Sequence, residues 1–218
     1  TISTQQITKA MKLVSATKLR KASDAIVRMR PYAEKLRGIM ANLQDSIEDD
    51  KLAVYFQSRD VKKVLLVVIT SDRGLCGAFN TNVIKEVKNR SDYYAGKQVD
   101  VFAIGKKGND ILSKTLTVID NQSAIFDDLT FDNVAQIAEV LTQKFVAGEY
   151  DRIELVYNQF KNAATQIVQT EQFLPLEALK SDKTASTGDY IYEPSKEDIV
   201  LTLIPKFISP HKYPFCCI

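Results

Sequence analysis

The chain has no tryptophan, one histidine (His211) and three cysteines (Cys76, Cys216 and Cys217) in 218 residues. A single histidine leaves little for histidine-based catalysis or a metal site, and no metal or cofactor is expected. Three cysteines cannot staple a fold of this size; they fit a reducing compartment. The tandem Cys216 and Cys217 are too few for structural zinc. They also miss the prenylation pattern, whose cysteine would replace Phe215. The longest apolar run, Val64 to Ile69, is strand-length, far short of the roughly 18 residues of a membrane span. The opening residues lack the apolar core of a secretion signal, so none is expected. Neither G-x-G-x-x-G nor G-x-x-x-x-G-K-[ST] occurs.

What is present suits a folded protein. Apolar residues make up 45% and charged residues 26%, which excludes wholesale disorder. The length allows one substantial core, or one domain with an appendage. The net charge of +2 hides an asymmetry. Lys9, Lys12, Lys18, Arg20, Lys21, Arg28, Arg30, Lys35 and Arg37 face only Asp24 and Glu34, so this stretch carries +7 and the remainder −5. A basic segment on an acidic body calls for an acidic partner: protein, nucleic acid or membrane.

Apolar or small residues recur through the same stretch at Ile7, Met11, Val14, Ala22, Ile26, Met29, Ala33, Leu36, Met40, Leu43 and Ile47. From Ala22 the steps alternate four and three, a heptad seam of about three and a half repeats. The step of eight between Val14 and Ala22 passes through Lys18 as a stutter, which locally unwinds a supercoil. The spacing predicts one helix of about 45 residues, roughly 65–70 Å long. No core of this size needs such a helix, so it should project. Pro31 permits two readings: a second helix beginning there, or one helix with a kink. The heptad phase runs unbroken from Met29 to Ala33 and favours the single helix. A solvated face is the ordinary fate of basic helix residues; their density, with few acidic neighbours, favours a binding surface.

An α/β body follows the polar stretch Asp49 to Arg59. Lys63 to Thr70 (KVLLVVIT) reads as a strand buried on both faces. Helices are expected at Thr81 to about Arg90, at Asn109 to Lys114, and at Asn133 to Ala147. The last should be N-capped by Asp132 and stopped by Gly148, with Val134, Ile137, Ala138, Leu141 and Phe145 inward. Further strands are expected at Val99 to Ile104, Thr117 to Ile119, Arg152 to Tyr157 and Thr165 to Phe173. Alternating strands and helices imply right-handed crossovers and a mostly parallel sheet. Gly74 and Gly77 stand where a phosphate loop would follow the first strand, but G-x-x-G alone is weak, as are Gly105 and Gly108 around Lys106 and Lys107. Cys76 as a nucleophile would need a base, and His211 is far along the chain. The glycines are better read as allowing a tight turn.

QQITKAMKLVSATKLRKASDAIVRMRPYAEKLR closely resembles the N-terminal helix of the gamma subunit of F-type ATP synthases. The resemblance continues at SDRGLCGAFNTN (Ser71 to Asn82), LVYNQFKNAATQ (Leu155 to Gln166) and DYIYEPS (Asp189 to Ser195), in family order, from about residue 2 to Lys206. It implies a non-catalytic rotor shaft that couples proton-driven rotation to ATP synthesis. A long N-terminal coiled-coil helix (residues 1–57) would join a Rossmann-like domain (58–178), followed by a linker and the start of a C-terminal shaft helix (179–218). Implied partners are the ring of alpha and beta subunits, the epsilon subunit and the membrane ring of c subunits. The implied location is peripheral to a membrane: the cytoplasmic face of a bacterial inner membrane or, alternatively, the mitochondrial matrix side. By resemblance, Lys9, Met11, Lys12, Lys18, Arg20, Lys21, Arg73 and Cys76 would meet an acidic lever on the beta subunits. Exposed charge pairs are weak and salt-screened, so such a surface can slide rather than lock.

Both ends depart from the family pattern. A helical lead-in is expected to be missing. After KEDIVLTLIPK the tail FISPHKYPFCCI carries Pro210 and Pro214, which a helix interior excludes, so the long return helix is expected to be truncated. The seam would then have no intramolecular partner. Two rival functions remain. A basic-helix nucleic-acid binder is opposed by basic residues that share the helix with the seam instead of preceding it. A small-molecule enzyme would use the turn around Arg73 and Cys76.

Overall fold

The computed structural model describes residues 2–44, 54–162 and 165–176. Helix α1 spans Ile2–Gln44 without a break at Pro31, as the unbroken heptad phase requires. At 1.5 Å per residue its 43 residues extend about 65 Å. Residues 2–21 are exposed throughout. Of the seam, Ile7, Met11 and Val14 are 59%, 65% and 56% exposed, so nothing among the described residues covers them. Ala22, Ile26, Met29, Ala33, Leu36, Met40 and Leu43 lie on the helical backbone of α1, and Ile47 lies outside the described residues.

The body is a five-stranded sheet of β1 (Lys63–Ile69), β2 (Gln98–Ile104), β3 (Thr117–Asn121), β4 (Arg152–Asn162) and β5 (Thr165–Leu174). The order is β3-β2-β1-β4-β5. Neighbours pair in parallel except β5, which runs antiparallel to β4. Helices α2 (Phe79–Tyr93), α3 (Lys106–Leu112) and α4 (Phe131–Val146) cover the two faces.

The run in β1 reflects this double cover. Leu65, Val67 and Ile69 join Phe102, Leu141, Phe145 and Ile153 on the α4 face. Val64, Leu66 and Val68 join Val83, Val87, Leu112 and Val156 on the α2 face. A period-2 strand buried on both sides has no polar face, which is why alternation disappears.

The structure corrects several boundaries. Helix α2 begins at Phe79, two residues before the expected start, and α3 begins at Lys106 rather than Asn109. Strand β3 runs on to Asn121 and β4 to Asn162. The cap of α4 is Thr130, whose Oγ1 accepts from Asn133 N at 3.3 Å. Asp132 sits instead in the first turn, where its charge favours the helix dipole. Gly148, at φ 74°, ends α4 as expected, and its N–H donates to Phe145 O. The motif Asp189 to Ser195, the tail and His211 lie outside the described residues.

Candidate partner-binding site

The segment Ser71 to Ala78 leaves the C-terminal end of β1, between β2 on one side and β4 on the other. In parallel sheets this reversal of strand order forms the crevice where ligands bind. Here the loop that borders the crevice is braced by the chain's own polar groups. Ser71 Oγ donates to Arg73 O at 2.6 Å and accepts from Asn80 Nδ2 at 2.8 Å. Asn80 Oδ1 accepts from Ser71 N at 3.0 Å. The same Asn80 amide lies 3.1 Å from Cys76 Sγ. Asp72 Oδ1 accepts from Lys106 N at 2.8 Å, and Lys107 N donates to Ser71 O at 3.1 Å. The loop is thereby fastened to the starts of both α2 and α3. No catalytic base faces Cys76 among these contacts.

The glycines divide by role. Gly77, at φ 59°, occupies the left-handed region and permits the turn. Gly74 does not; the other left-handed residue is Leu75, at φ 64°. A left-handed backbone costs a residue with a Cβ about 1–2 kcal/mol. Leu75 is also fully exposed, so no burial offsets that cost within the described residues. Gly105 and Gly108, weak candidates for a phosphate loop, serve packing instead. A Cβ on Gly105 would lie 2.1 Å from Thr70 O, and one on Gly108 2.7 Å from Thr70 Oγ1. Their absence lets Gly108 N donate to Thr70 Oγ1 at 2.8 Å.

Of the expected partner-contact residues, Lys18 on α1 lines one cleft with Arg73 and Cys76 of the loop. The cleft has a volume of about 740 Å³; Asp72, Phe79, Phe126, Asp127 and Leu129 also line it. Lys9, Met11, Lys12, Arg20 and Lys21 are exposed along α1 and are not among its lining residues. Arg20 lies 4.0 Å from Asp24, an exposed i,i+4 pair of little energetic weight.

A second polar centre was missed in the sequence. Glu154, almost wholly buried on β4, accepts from Arg90 Nε at 2.9 Å and from Tyr94 OH at 2.6 Å. Arg152 Nε lies 2.9 Å from Glu154 Oε1 without hydrogen-bond alignment. Burial, then the Glu154 hydrogen bond and charge, push the Tyr94 phenol up to about 12. Burial alone would lower the pKa of Arg90, but the hydrogen bond and charge of Glu154 outweigh it and raise it. The available signal was a carboxylate inside the expected strand Arg152 to Tyr157, among Ile153, Leu155 and Val156; burying it demands a cationic partner. Near the body's start, Asp151 Oδ2 accepts from Lys62 N and Lys63 N at 2.9 Å each. Burial opposes its ionisation, but those two backbone donors hold its carboxyl below the usual range.

Among the described residues no three His, Cys, Asp or Glu side chains are placed to hold a metal ion. Nor is any helix long and apolar enough to cross a membrane. A projecting basic helix that shares an open cleft with a braced loop of the body defines a partner-binding surface.

The comparisons name the family. The ATP synthase family matches residues 1–216. The ATP synthase gamma chain of Flavobacterium psychrophilum is 72% identical over 97% of this chain and 74% of its own length. That of Flavobacterium johnsoniae is 69% identical over the same shares. A chain from the central stalk and c-ring structure of the Tetrahymena thermophila mitochondrial ATP synthase shares the fold at TM-score 0.66. It is 24% identical, over 95% of this chain and 90% of that one. This chain belongs to the ATP synthase gamma-chain family. Members are non-catalytic central-stalk subunits, peripheral to the membrane; the catalytic sites lie on the beta subunits. The nucleic-acid and small-molecule enzyme readings give way to this one.

Proposed function

We propose that this chain is a rotor shaft whose cationic side is pushed by the catalytic ring. The proposed division is a shaft segment over residues 1–57, in which helix α1 is Ile2–Gln44, a Rossmann-like foot over residues 58–178, and residues 179–218 leading towards the second shaft helix. Alpha and beta subunits surround the shaft; the epsilon subunit and the c-ring meet the foot, on the cytoplasmic face of a bacterial inner membrane. Proton-driven rotation of the c-ring turns the shaft, and the shaft drives the beta subunits through their binding states.

The supporting observation is the convergence of Lys18, from α1, with Arg73 and Cys76, from the β1 loop, on one cleft. An acidic segment of a beta subunit lying there touches the helix and the body at once. A push at that point therefore acts on both without bending one against the other. Lys9, Met11, Lys12, Arg20 and Lys21 continue the surface along α1.

Reconstitution with alpha and beta subunits of the same source tests this. The chain should form a complex that hydrolyses ATP. Replacing Lys18 and Arg73 together by alanine should lower the affinity for the ring and flatten its salt dependence. An unchanged salt dependence in that double variant would refute the contact.

A further inference from the structure

Leu75 combines two features that a folded chain normally avoids. Its backbone is left-handed at φ 64°, and its side chain is fully exposed. Neither follows from a loose loop. Ser71 and Asn80 clamp the segment at one end, Asp72 ties it to Lys106 N, and Gly77 closes the turn at φ 59°. The turn is held in a shape that projects an apolar side chain into solvent. Strain of this kind persists where the surrounding structure imposes it, and it concentrates at functional sites.

The surroundings indicate what Leu75 meets. Arg73 lies two residues before it, and Lys18 of α1 lines the adjoining cleft. Lys107 Cε would lie 3.9 Å from a Cβ on Gly74. Asp72, the nearest carboxylate in sequence, is occupied by Lys106 N. The knob is apolar, and around it three cations, Lys18, Arg73 and Lys107, outnumber two carboxylates, Asp72 and Asp127.

We infer that Leu75 is the apolar anchor of the contact with the catalytic ring, seated in an apolar socket rimmed by carboxylates on a beta subunit. This rests on the proposed assembly of the chain within the ring. The division of labour is physical. Screened charges bring the surfaces together and can slide, while a buried leucine supplies affinity that salt does not remove. A cavity-forming or polar change at position 75 therefore weakens binding by the same factor at every ionic strength.

The test titrates the 218-residue chain against a ring of alpha and beta subunits from the same source, across a salt series. Leu75→Ser and Leu75→Gly should each weaken binding by about tenfold or more, with the salt slope of the parent. Arg73→Ala should reduce the slope. The free Leu75→Gly chain should melt at or above the parent temperature, because glycine relieves the left-handed strain. Binding of both Leu75 variants within about twofold of a parent that binds would overturn the anchor and leave the assembly standing. A free Leu75→Gly chain that melts well below the parent would also overturn it, by showing a structural role. A parent that fails to bind the ring at all overturns the assembly, and the anchor with it.

Discussion

The two halves of this molecule solve opposite problems with similar residues. The body buries Val64 to Ile69 of β1 between α2 and α4, and even its charged Glu154 finds Arg90 and Tyr94 inside. Helix α1 exposes Ile7, Met11 and Val14, and its lysines and arginines have few acidic neighbours. The body's stability comes from its own core. The helix depends on propensity and on whatever covers its seam, because helical stability in proteins comes mainly from packing. A rotor needs this contrast: a foot that holds its shape alone and a shaft whose surface is reserved for others.

The sharpest way to break the contrast is to damage the body alone. Phe145→Ala opens a cavity at a fully buried site of the α4 face, and should cost about 3–5 kcal/mol. Urea unfolding followed by tyrosine fluorescence should show that loss. Glu154→Ala leaves Arg90 and Arg152 without their carboxylate. Both arginines reach solvent in part, so the cost should fall near about 3 kcal/mol, the low end for a broken buried pair. Neither change should alter the ring-binding salt slope.

Pro31→Ala sharpens the comparison from the other side. Proline donates no N–H to the carbonyl one turn back, and costs a helix interior about 3 kcal/mol. The variant should raise the helical ellipticity of the free chain while the unfolding midpoint of the body stays in place. A shift of that midpoint would mean that the two halves fold as one.

The pH dependence should also belong to the body. The Tyr94 phenol has its pKa raised from 10 to about 12. Stability from that group is fully present below pH 10 and is lost as pH rises towards 12. Tyr94→Phe should remove this alkaline loss, at a cost of about 1.5–3 kcal/mol at neutral pH for the hydrogen bond to Glu154. The smallest effect expected is Leu75→Gly in the free chain, a gain of about 0.5 kcal/mol as strain relief outweighs the entropy of glycine.

Much of the fold was legible because its signals are local. An apolar run without alternation marked β1, the 3.6-residue spacing of Val134, Ala138, Leu141 and Phe145 marked α4, and the heptad phase carried α1 through Pro31. The misplaced starts of α2 and α3 have a common cause. Phe79 and Lys106 begin helices immediately after the turns fastened by Asn80 and Asp72, and those bonds span up to 34 residues of sequence.

By itself, then, the sequence determined the α/β class, the doubly covered strand, the single long basic helix and, through its motifs, the family. Each is written in periodicity, charge or a contiguous block of residues. Tertiary structure alone decided that β5 turns back against β4, that Glu154 sits between arginines from α2 and β4, that Lys18 meets Arg73 across a cleft, and that a leucine rather than Gly74 takes the left-handed turn. These outcomes depend on which distant groups compete for one space and one set of hydrogen bonds, and no window of neighbouring residues contains that competition.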